Sequence, residues 1–293
     1  GGKRRRNSKG SGTVQQRSPG QRIWRLIGPI IVKMAVAFVV EAVVIFLYAI
    51  FVHPETFEAV SSQEELMQKT VELTDGVLKY ATQISALAAL CTIPILAWMF
   101  RKDRKLEKES GVTPQKKAAF GKYILIVGIS IPVALGVNNL LLLSNLSEVS
   151  EGYKQASEML YTPSLPVQII CLGIVIPIME ELIFRGLLFK RLREVMPMVP
   201  AVIYSALFFG LYHGNLVQII YGTICGLLLA YVYEKFGSLK APVLMHMTMN
   251  ILACVVTELN GFAWMLEQPM RMGIITVLCA LVASGMFVLI KDM

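Results

Sequence analysis

Apolar residues recur in long runs along most of the chain, and short polar segments separate these runs. A run of about 20 apolar residues is the length that a helix needs to cross the hydrocarbon core of a bilayer. The first run contains Glu41 but is still long enough to span, which predicts a retained first helix rather than a cleaved signal. The pattern predicts eight spans, at residues 30–52, 80–100, 122–143, 166–189, 198–213, 216–234, 239–257 and 272–290.

The composition agrees with the spans, since 55% of the residues are hydrophobic, 16% are charged and the mean hydropathy is +0.60. Such a chain cannot pack as a water-soluble domain of ordinary composition. The polar segments between spans are too short to fold alone, although residues 53–79 show helical spacing of apolar positions. The expected fold class is therefore all-α: a polytopic membrane helix bundle of about eight transmembrane helices, with the active site within the bundle.

The formal net charge of +8 comes from one basic tail. Residues 1–27 contain eight Lys or Arg and no acidic residue, whereas the remaining chain carries 20 basic and 20 acidic residues. The tail has few apolar residues to bury, so we expect it to be disordered. The neutral remainder excludes a nucleic-acid partner, and membrane lipids are the expected partner of the basic tail.

The polar segments alternate in charge along the chain. Segments 101–122, 190–196, 234–240 and 291 onward contain 14 Lys or Arg, whereas segments 53–79, 144–165 and 258–271 contain four. Basic loops stay on the cytoplasmic side of a membrane. The pattern thus predicts a multi-pass protein of the cell membrane with both termini in the cytoplasm. The five cysteines show no CxxC spacing, which indicates neither a disulfide framework nor a structural zinc site.

Ionisable residues inside spans are costly in lipid and usually line a cavity or a site. The predicted spans contain few of them: Lys33, Glu41, Glu180, Glu181, Arg185, His213 and His246. Most fall in the second half of the chain, where Asn250 joins them. Glu180, His213, His246 and Asn250 supply a base, two imidazoles and an amide, which can activate a water and stabilise an oxyanion in acyl transfer to water.

Helical spacing sorts these residues further. Glu181 and Arg185 are spaced i, i+4 with the acid first, so we expect an ion pair that neutralises the arginine. Glu180 points about 100° around the helix from Glu181 and is free to face another neighbour. His246 and Asn250 lie one turn apart on one helix face, as do Phe209 and His213 on another.

These residues resemble the motifs of the CPBP intramembrane proteases, which include the type II CAAX prenyl endopeptidases and related bacteriocin-processing or immunity proteins. Residues 180–185 read EELIFR and match EExxxR, residues 209–213 match FxxxH, and residues 246–250 match HxxxN. All three motifs occur in order on separate predicted spans, over about residues 165–256.

The resemblance implies an endopeptidase that cleaves a membrane-associated protein or peptide. Glu180 would activate the attacking water with His213, and His246 and Asn250 would hold the oxyanion of the tetrahedral intermediate. Glu181, Arg185 and Phe209 would support the site. The chain then divides into a basic tail (1–27), N-terminal transmembrane helices with an acidic external loop (28–164), a CPBP-like catalytic core (165–257) and a C-terminal transmembrane helix (258–293).

Several alternatives stay open. A metal-dependent form would bind zinc through Glu180, His213 and His246, whereas the favoured form uses no cofactor. A proton-coupled transporter and a non-catalytic immunity or scaffold protein are alternatives of other classes. A prenylated protein, a bacteriocin or pheromone precursor, and a membrane-anchored regulator are all compatible substrates. The roles of Glu41 and of residues 53–79 are undetermined.

Helix length raises one difficulty. Counted at about 1.5 Å per residue from the basic loops, Glu180 lies roughly 15 Å deep, His246 roughly 9 Å and His213 about 24 Å. The mismatch shrinks if residues 213–215 form a turn within the membrane, which is tolerated only around a protein-lined or wet cavity. We expect such a cavity to open to the cytoplasm.

Overall fold

The computed structural model describes residues 18–293, and within them the fold is entirely helical. All-α polytopic architecture, as the apolar runs predict, is confirmed. The principal helices are α1 (Pro19–Phe51), α2 (Gln63–Leu78), α3 (Ala81–Glu109), α4 (Ile124–Leu143), α5 (Glu151–Tyr161), α6 (Leu165–Arg193), α7 (Met198–Tyr212), α8 (Leu216–Phe236), α9 (Lys240–Glu258) and α10 (Pro269–Lys291).

Each of the eight predicted spans corresponds to one of these helices. Seven of them, α1, α3, α4, α6, α8, α9 and α10, are long and apolar enough to cross a membrane, and the α4 span begins at Phe120. The eighth, α7, has 15 residues, which makes it about 22 Å long and too short for a hydrocarbon core of about 30 Å. The C-terminal end of α7 therefore stops inside the bundle.

The prediction of a disordered tail over residues 1–27 is partly wrong. Residues 1–17 lie outside the described residues, but α1 already begins at Pro19. Ser18 accepts a hydrogen bond from the Gln21 backbone N–H, and the Gln21 side chain accepts one from the Ser18 backbone. This capping box and a proline at the first helical position start the helix earlier than hydropathy indicates.

The acidic segment 53–79 contains helix α2, as its apolar spacing predicts. Ser62 caps the helix by accepting a hydrogen bond from the Glu65 backbone N–H. The Ser61 hydroxyl and backbone N–H both donate to the Glu65 carboxylate, and these bonds hold the pKa of Glu65 below its ordinary value. Helix α2 ends at Leu78, and α3 begins at Ala81 after a short turn.

Helix α6 is the centre of the bundle. In its most apolar stretch 56% of the residues are buried, against 6% for α1, so α6 is covered by protein whereas α1 mostly faces lipid. Helices α1, α3, α7 and α9 all pack against α6, and α10 packs against α4. Large side chains with less than 2% exposure fill the core around α6: Ile183, Phe184, Leu187, Leu188, Phe189, Leu229, Phe236 and Met245.

Charged residues connect three helices at one end of the bundle. Arg191 of α6 donates to Asp103 of α3 over 2.7 Å, and Arg25 of α1 binds Glu194 over 2.6 Å. Asp103 and Arg191 are each only 6% exposed. We call this end, with segments 101–122, 190–196 and 234–240, the basic end, and the opposite end, with segments 53–79 and 144–165, the acidic end.

Candidate active site

Helix α6 contains two π-helical segments, one before the first motif and one that overlaps its second half. Residues Ile169–Val175 and Leu182–Phe189 form π-helix, and between them Ile176–Glu181 is α-helical. Pro177 offers one cause for the first, because a proline ring clashes with the carbonyl four residues earlier in a regular helix. Such turns re-aim side chains and occur often at functional sites. They direct Glu180 and Glu181 to different neighbours.

Glu181 joins two motifs in a fully buried ion cluster. Its Oε1 accepts from Arg185 Nη1 over 2.9 Å and from His246 Nδ1 over 2.8 Å. Glu181 and Arg185 are both 0% exposed. The ion pair predicted from their spacing is therefore present, and because Oε1 acts as the acceptor for Arg185, we assign the hydrogen shared with His246 to Nδ1. The sequence does not reveal that Glu181 also orients His246.

Glu180 faces the other nitrogen of the same histidine. Its Oε2 lies 3.7 Å from His246 Nε2, and both side chains are almost fully buried. Asn250, one turn further along α9, donates from Nδ2 to the backbone carbonyl of Leu172 over 2.9 Å. That bond uses one of the two amide hydrogens of Asn250 and leaves the second available. The first and third motifs thus converge.

Phe209, the first residue of the second motif, packs between the charged groups. The Arg185 guanidinium lies 4.3 Å from the centre of its ring, a cation–π contact. The rings of His213 and His246 meet it edge to face, with centroids 5.0 Å and 5.6 Å away. Phe209 therefore keeps the two imidazoles apart and shields the buried arginine.

His213 lies at the end of α7, in the turn predicted inside the membrane. Gly214 has a φ of +79°, a left-handed conformation that favours glycine, and Asn215 caps α8 by accepting from the Gln218 backbone N–H. His213 Nδ1 lies 2.8 Å from the Phe209 carbonyl oxygen. A carbonyl only accepts hydrogen bonds, so Nδ1 carries the hydrogen and Nε2 of the neutral ring is free to accept a proton.

Small residues let α7 and α8 approach closely beside this turn. A Cβ added at Gly210 would lie 2.6 Å from the carbonyl oxygen of Ile219, and one added at Gly222 would lie 3.2 Å from the Gly210 Cα. One added at Gly226 would lie 3.0 Å from the Ala206 Cα. Close backbone packing of this kind is typical of membrane helices with small residues four apart. It sets the position of His213 relative to α8.

A cavity of about 420 Å³ brings the four predicted catalytic residues together. Glu180, His213, His246 and Asn250 all line it, with Phe209, whereas Glu181 and Arg185 do not. The four residues therefore meet although depths counted along separate helices differ, and the turn expected at residues 213–215 is present. The chain can present a carboxylate, two imidazoles and an amide to one enclosed space.

The walls of the cavity extend from the middle of the bundle to the acidic end. At that end Ala81 begins α3, and Tyr153 and Tyr161 lie on α5. Large buried side chains such as Phe189 fill the bundle towards the basic end. The amphipathic helix α5, which hydropathy treats as a loop, thus forms part of the cavity wall. The side of the membrane that the cavity faces depends on the orientation of the chain, so its expected opening to the cytoplasm stays a prediction.

The candidate metal ligands do not form a preformed three-ligand centre among the described residues. Among residues 18–293, no group of three or more His, Cys, Asp or Glu side chains is placed to hold a metal ion. Nδ1 of each histidine already bonds, to Phe209 or to Glu181, and Glu180 Oε2 lies 3.7 Å from His246 Nε2. The zinc-dependent form through Glu180, His213 and His246 therefore stays an alternative prediction, without a preformed three-ligand site among the described residues.

Three residues that line the cavity were not predicted from the sequence to belong to the site. Lys33 and Glu41 of α1 line it, although they lie far from the motifs in sequence. The signal was present, because both are ionisable residues inside a span. Tyr212 also lines the cavity, and its ring packs edge to face on Phe184 and His213. An aromatic residue at a helix end gives no comparable signal.

Comparison with known proteins agrees with the motifs. Residues 162–252 match the family model described as "Type II CAAX prenyl endopeptidase Rce1-like". The chain is also similar to the curated Bacillus subtilis (strain 168) protein "Putative membrane peptidase YdiL", with 32% identity over 105 residues. That stretch is 36% of this chain and 43% of the relative, so the match spans less than half of either protein. No solved structure matches the chain significantly. Residues 162–252, which carry the site, are therefore similar to the Rce1-like family of membrane peptidases, and the matched part is about a third of the chain.

Proposed function

We propose that this protein is an intramembrane endopeptidase that hydrolyses a peptide bond in a membrane-associated protein or peptide. The observation that carries the proposal is the convergence of Glu180, His213, His246 and Asn250 on one cavity inside the bundle. Similarity to the Rce1-like family over residues 162–252 supports hydrolysis of peptides, and the multi-pass fold supports a substrate that reaches the site from the membrane. A prenylated protein and a bacteriocin or pheromone precursor both fit this chemistry.

In the proposed reaction, Glu180 and His213 activate the water. A carboxylate and an imidazole with a free Nε2 are both proton acceptors, and general-base catalysis of this kind contributes about 10²–10⁴-fold in rate. The water loses a proton as its oxygen attacks the carbonyl carbon of the scissile bond. That proton then passes to the leaving amine, which completes hydrolysis without a covalent enzyme intermediate.

His246 and Asn250 stabilise the oxyanion in this proposal. Glu181 holds His246 through Nδ1, so that Nε2 faces Glu180 and, when protonated, donates towards the reacting carbonyl. The Leu172 carbonyl holds Asn250 in the same way and leaves its second amide hydrogen as a donor. Donors held in place before the reaction stabilise developing charge without reorganisation at the moment of attack. We propose that Arg185 acts only by keeping Glu181 ionised and positioned.

We also propose that both termini face the cytoplasm. The basic residues gather at the end where α1 begins and α10 ends, as the positive-inside rule requires. With this orientation the acidic end of the cavity faces outward, and we propose that the substrate enters from the lipid or from the external side. The reaction itself needs no metal in this proposal, since the donors present suffice for proton transfer and oxyanion stabilisation.

The Glu180→Gln variant tests the proposal, because glutamine keeps the shape of the side chain and removes the base. Membrane peptides are compared by mass spectrometry between cells that express wild type, Glu180→Gln or the control Glu258→Gln, which changes an exposed glutamate outside the cavity. We expect at least one peptide product to fall by about 10²-fold or more in Glu180→Gln and to persist in Glu258→Gln. Purified wild type should keep its activity after exhaustive chelation. Identical peptide profiles in all three strains would contradict the proposed protease.

A further inference from the structure

Lys33 is a cation inside the membrane that points towards the proposed reaction centre. It lies eight residues beyond Arg25, which binds Glu194 at the basic end, and is therefore about 12 Å further along α1. Its Nζ lies 5.1 Å from the centre of the Tyr212 ring, and that ring packs on His213 with a centroid separation of 5.5 Å. Lys33 is thus one side chain away from a proposed base.

The charge of Lys33 has no counter-ion in the described part of the chain. Within residues 18–293 no carboxylate lies within 4.0 Å of its Nζ, which packs over the tyrosine ring instead. A lysine at membrane depth is costly unless it is paired or reaches water. Two turns along the same face Glu41 also lines the cavity, but it forms no ion pair with Lys33. The uncompensated cation therefore faces the space that a substrate would occupy.

We propose that Lys33 binds a carboxylate of the substrate and so selects peptides that carry a negative charge near the scissile bond. This inference rests on the proposed function, because it assigns the specificity of the same cavity. A carboxylate is the group that compensates Lys33 with a charge-assisted hydrogen bond, worth about 1.5–3 kcal/mol for a charged pair, or about tenfold or more in affinity. The carboxylate comes from the C-terminus of a peptide or from an acidic side chain.

Binding, rather than cleavage, tests this inference independently of the protease activity. The probes are fluorescent, N-terminally palmitoylated apolar peptides, prepared as free acids and as C-terminal amides, with and without one glutamate in the amide form. They are titrated against Glu180→Gln protein in nanodiscs and followed by fluorescence anisotropy. We expect at least one carboxylate-bearing peptide to bind about tenfold more tightly than its neutral counterpart. The form that binds more tightly identifies the source of the carboxylate.

Three double variants assign the preference to Lys33. Lys33→Met in the Glu180→Gln background should abolish it, because methionine keeps the length of the side chain without its charge. Lys33→Arg should retain it, and Lys102→Met, which removes a lysine that packs on the Trp98 ring outside the cavity, should leave it unchanged. Equal binding of acidic and neutral peptides to the Glu180→Gln protein, or a preference that survives Lys33→Met, would overturn the inference. Failure of the protease proposal is a different result: wild type would then cleave none of the peptides.

Discussion

At the scale of single residues, the most consequential side chain is Glu181, which is not in the cavity. One of its oxygens accepts from both Arg185 and His246, and the other has no hydrogen-bond partner within the described residues. Arg185 Nε also has no partner within residues 18–293. Buried charges are costly to desolvate, and removing one member of such a pair leaves the other uncompensated. Glu181 therefore links the stability of the core to the orientation of the proposed oxyanion donor.

A double-mutant cycle on Glu181 and Arg185 tests this link. Glu181→Gln leaves a buried arginine without its counter-ion, so we expect a loss of about 3–5 kcal/mol in stability. Adding Arg185→Met to Glu181→Gln removes the unpaired charge, while the amide oxygen of the substituted side chain still accepts from His246. The double variant should therefore be more stable than Glu181→Gln alone, as measured by thermal unfolding in detergent. Additive losses would show that the pair is not coupled as the distances indicate.

At the scale of helices, α7 and α8 form the tightest pair near the site. Ala206 and Gly210 on α7 face Gly222 and Gly226 on α8, and the backbones touch where side chains would otherwise lie. Lipid offers no hydrophobic force to drive such helices together, so van der Waals packing of small residues carries more of the association. Because His213 follows directly after this contact, helix packing and site geometry depend on the same residues.

Gly210→Ala is expected to disturb the packing of α7 on α8 and the position of His213 together. Its Cβ would clash with Thr223 Oγ1 and lie 2.6 Å from a backbone oxygen that cannot move alone, so the two helices must separate. Overpacking of this kind costs about 1–3 kcal/mol and should lower peptide cleavage together with thermal stability. Gly285→Ala in α10 is the matched control, since nothing lies within 4 Å of its added Cβ. Equal effects of both substitutions would argue against a specific α7–α8 contact.

At the scale of the whole molecule, the charged network lies at one end of the bundle and the cavity extends towards the other. The basic end contains Arg25, Asp103 and Arg191 in one network, while the cavity runs from the middle of the bundle to helix α5 at the acidic end. If the termini are cytoplasmic, as proposed, the end of the cavity at α5 faces outward. The orientation comes from the positive-inside rule, and the direction that the cavity faces comes from its position in the bundle.

Cysteine labelling tests this orientation directly. In a variant without the native cysteines, Ala156→Cys on α5 should react with a membrane-impermeant maleimide applied to intact cells. Lys116→Cys, in the basic segment 101–122, should react only after the membrane is permeabilised. We expect this contrast because α5 and residue 116 lie at opposite ends of the bundle. The reverse pattern would place the termini outside and overturn the proposed orientation.

Much of the fold follows from the amino-acid sequence without any coordinates. The eight spans were predicted to within a few residues at most ends, because lipid selects apolar runs of a defined length. The pairing of Glu181 with Arg185 also follows from local spacing, since residues four apart lie on one helix face. The helix start at Pro19 was missed, because hydropathy does not include capping.

Contacts between helices far apart in the sequence could be identified only from the tertiary structure. Lys33 lies at the same cavity as His213, Glu181 orients His246, and α5 forms part of the cavity wall. Sequence spacing reports which residues share a helix face, whereas these contacts join helices far apart in the chain. Their geometry depends on how the helices pack, at Gly210 and Gly222 above all, and hydropathy and motif spacing contain no measure of that packing.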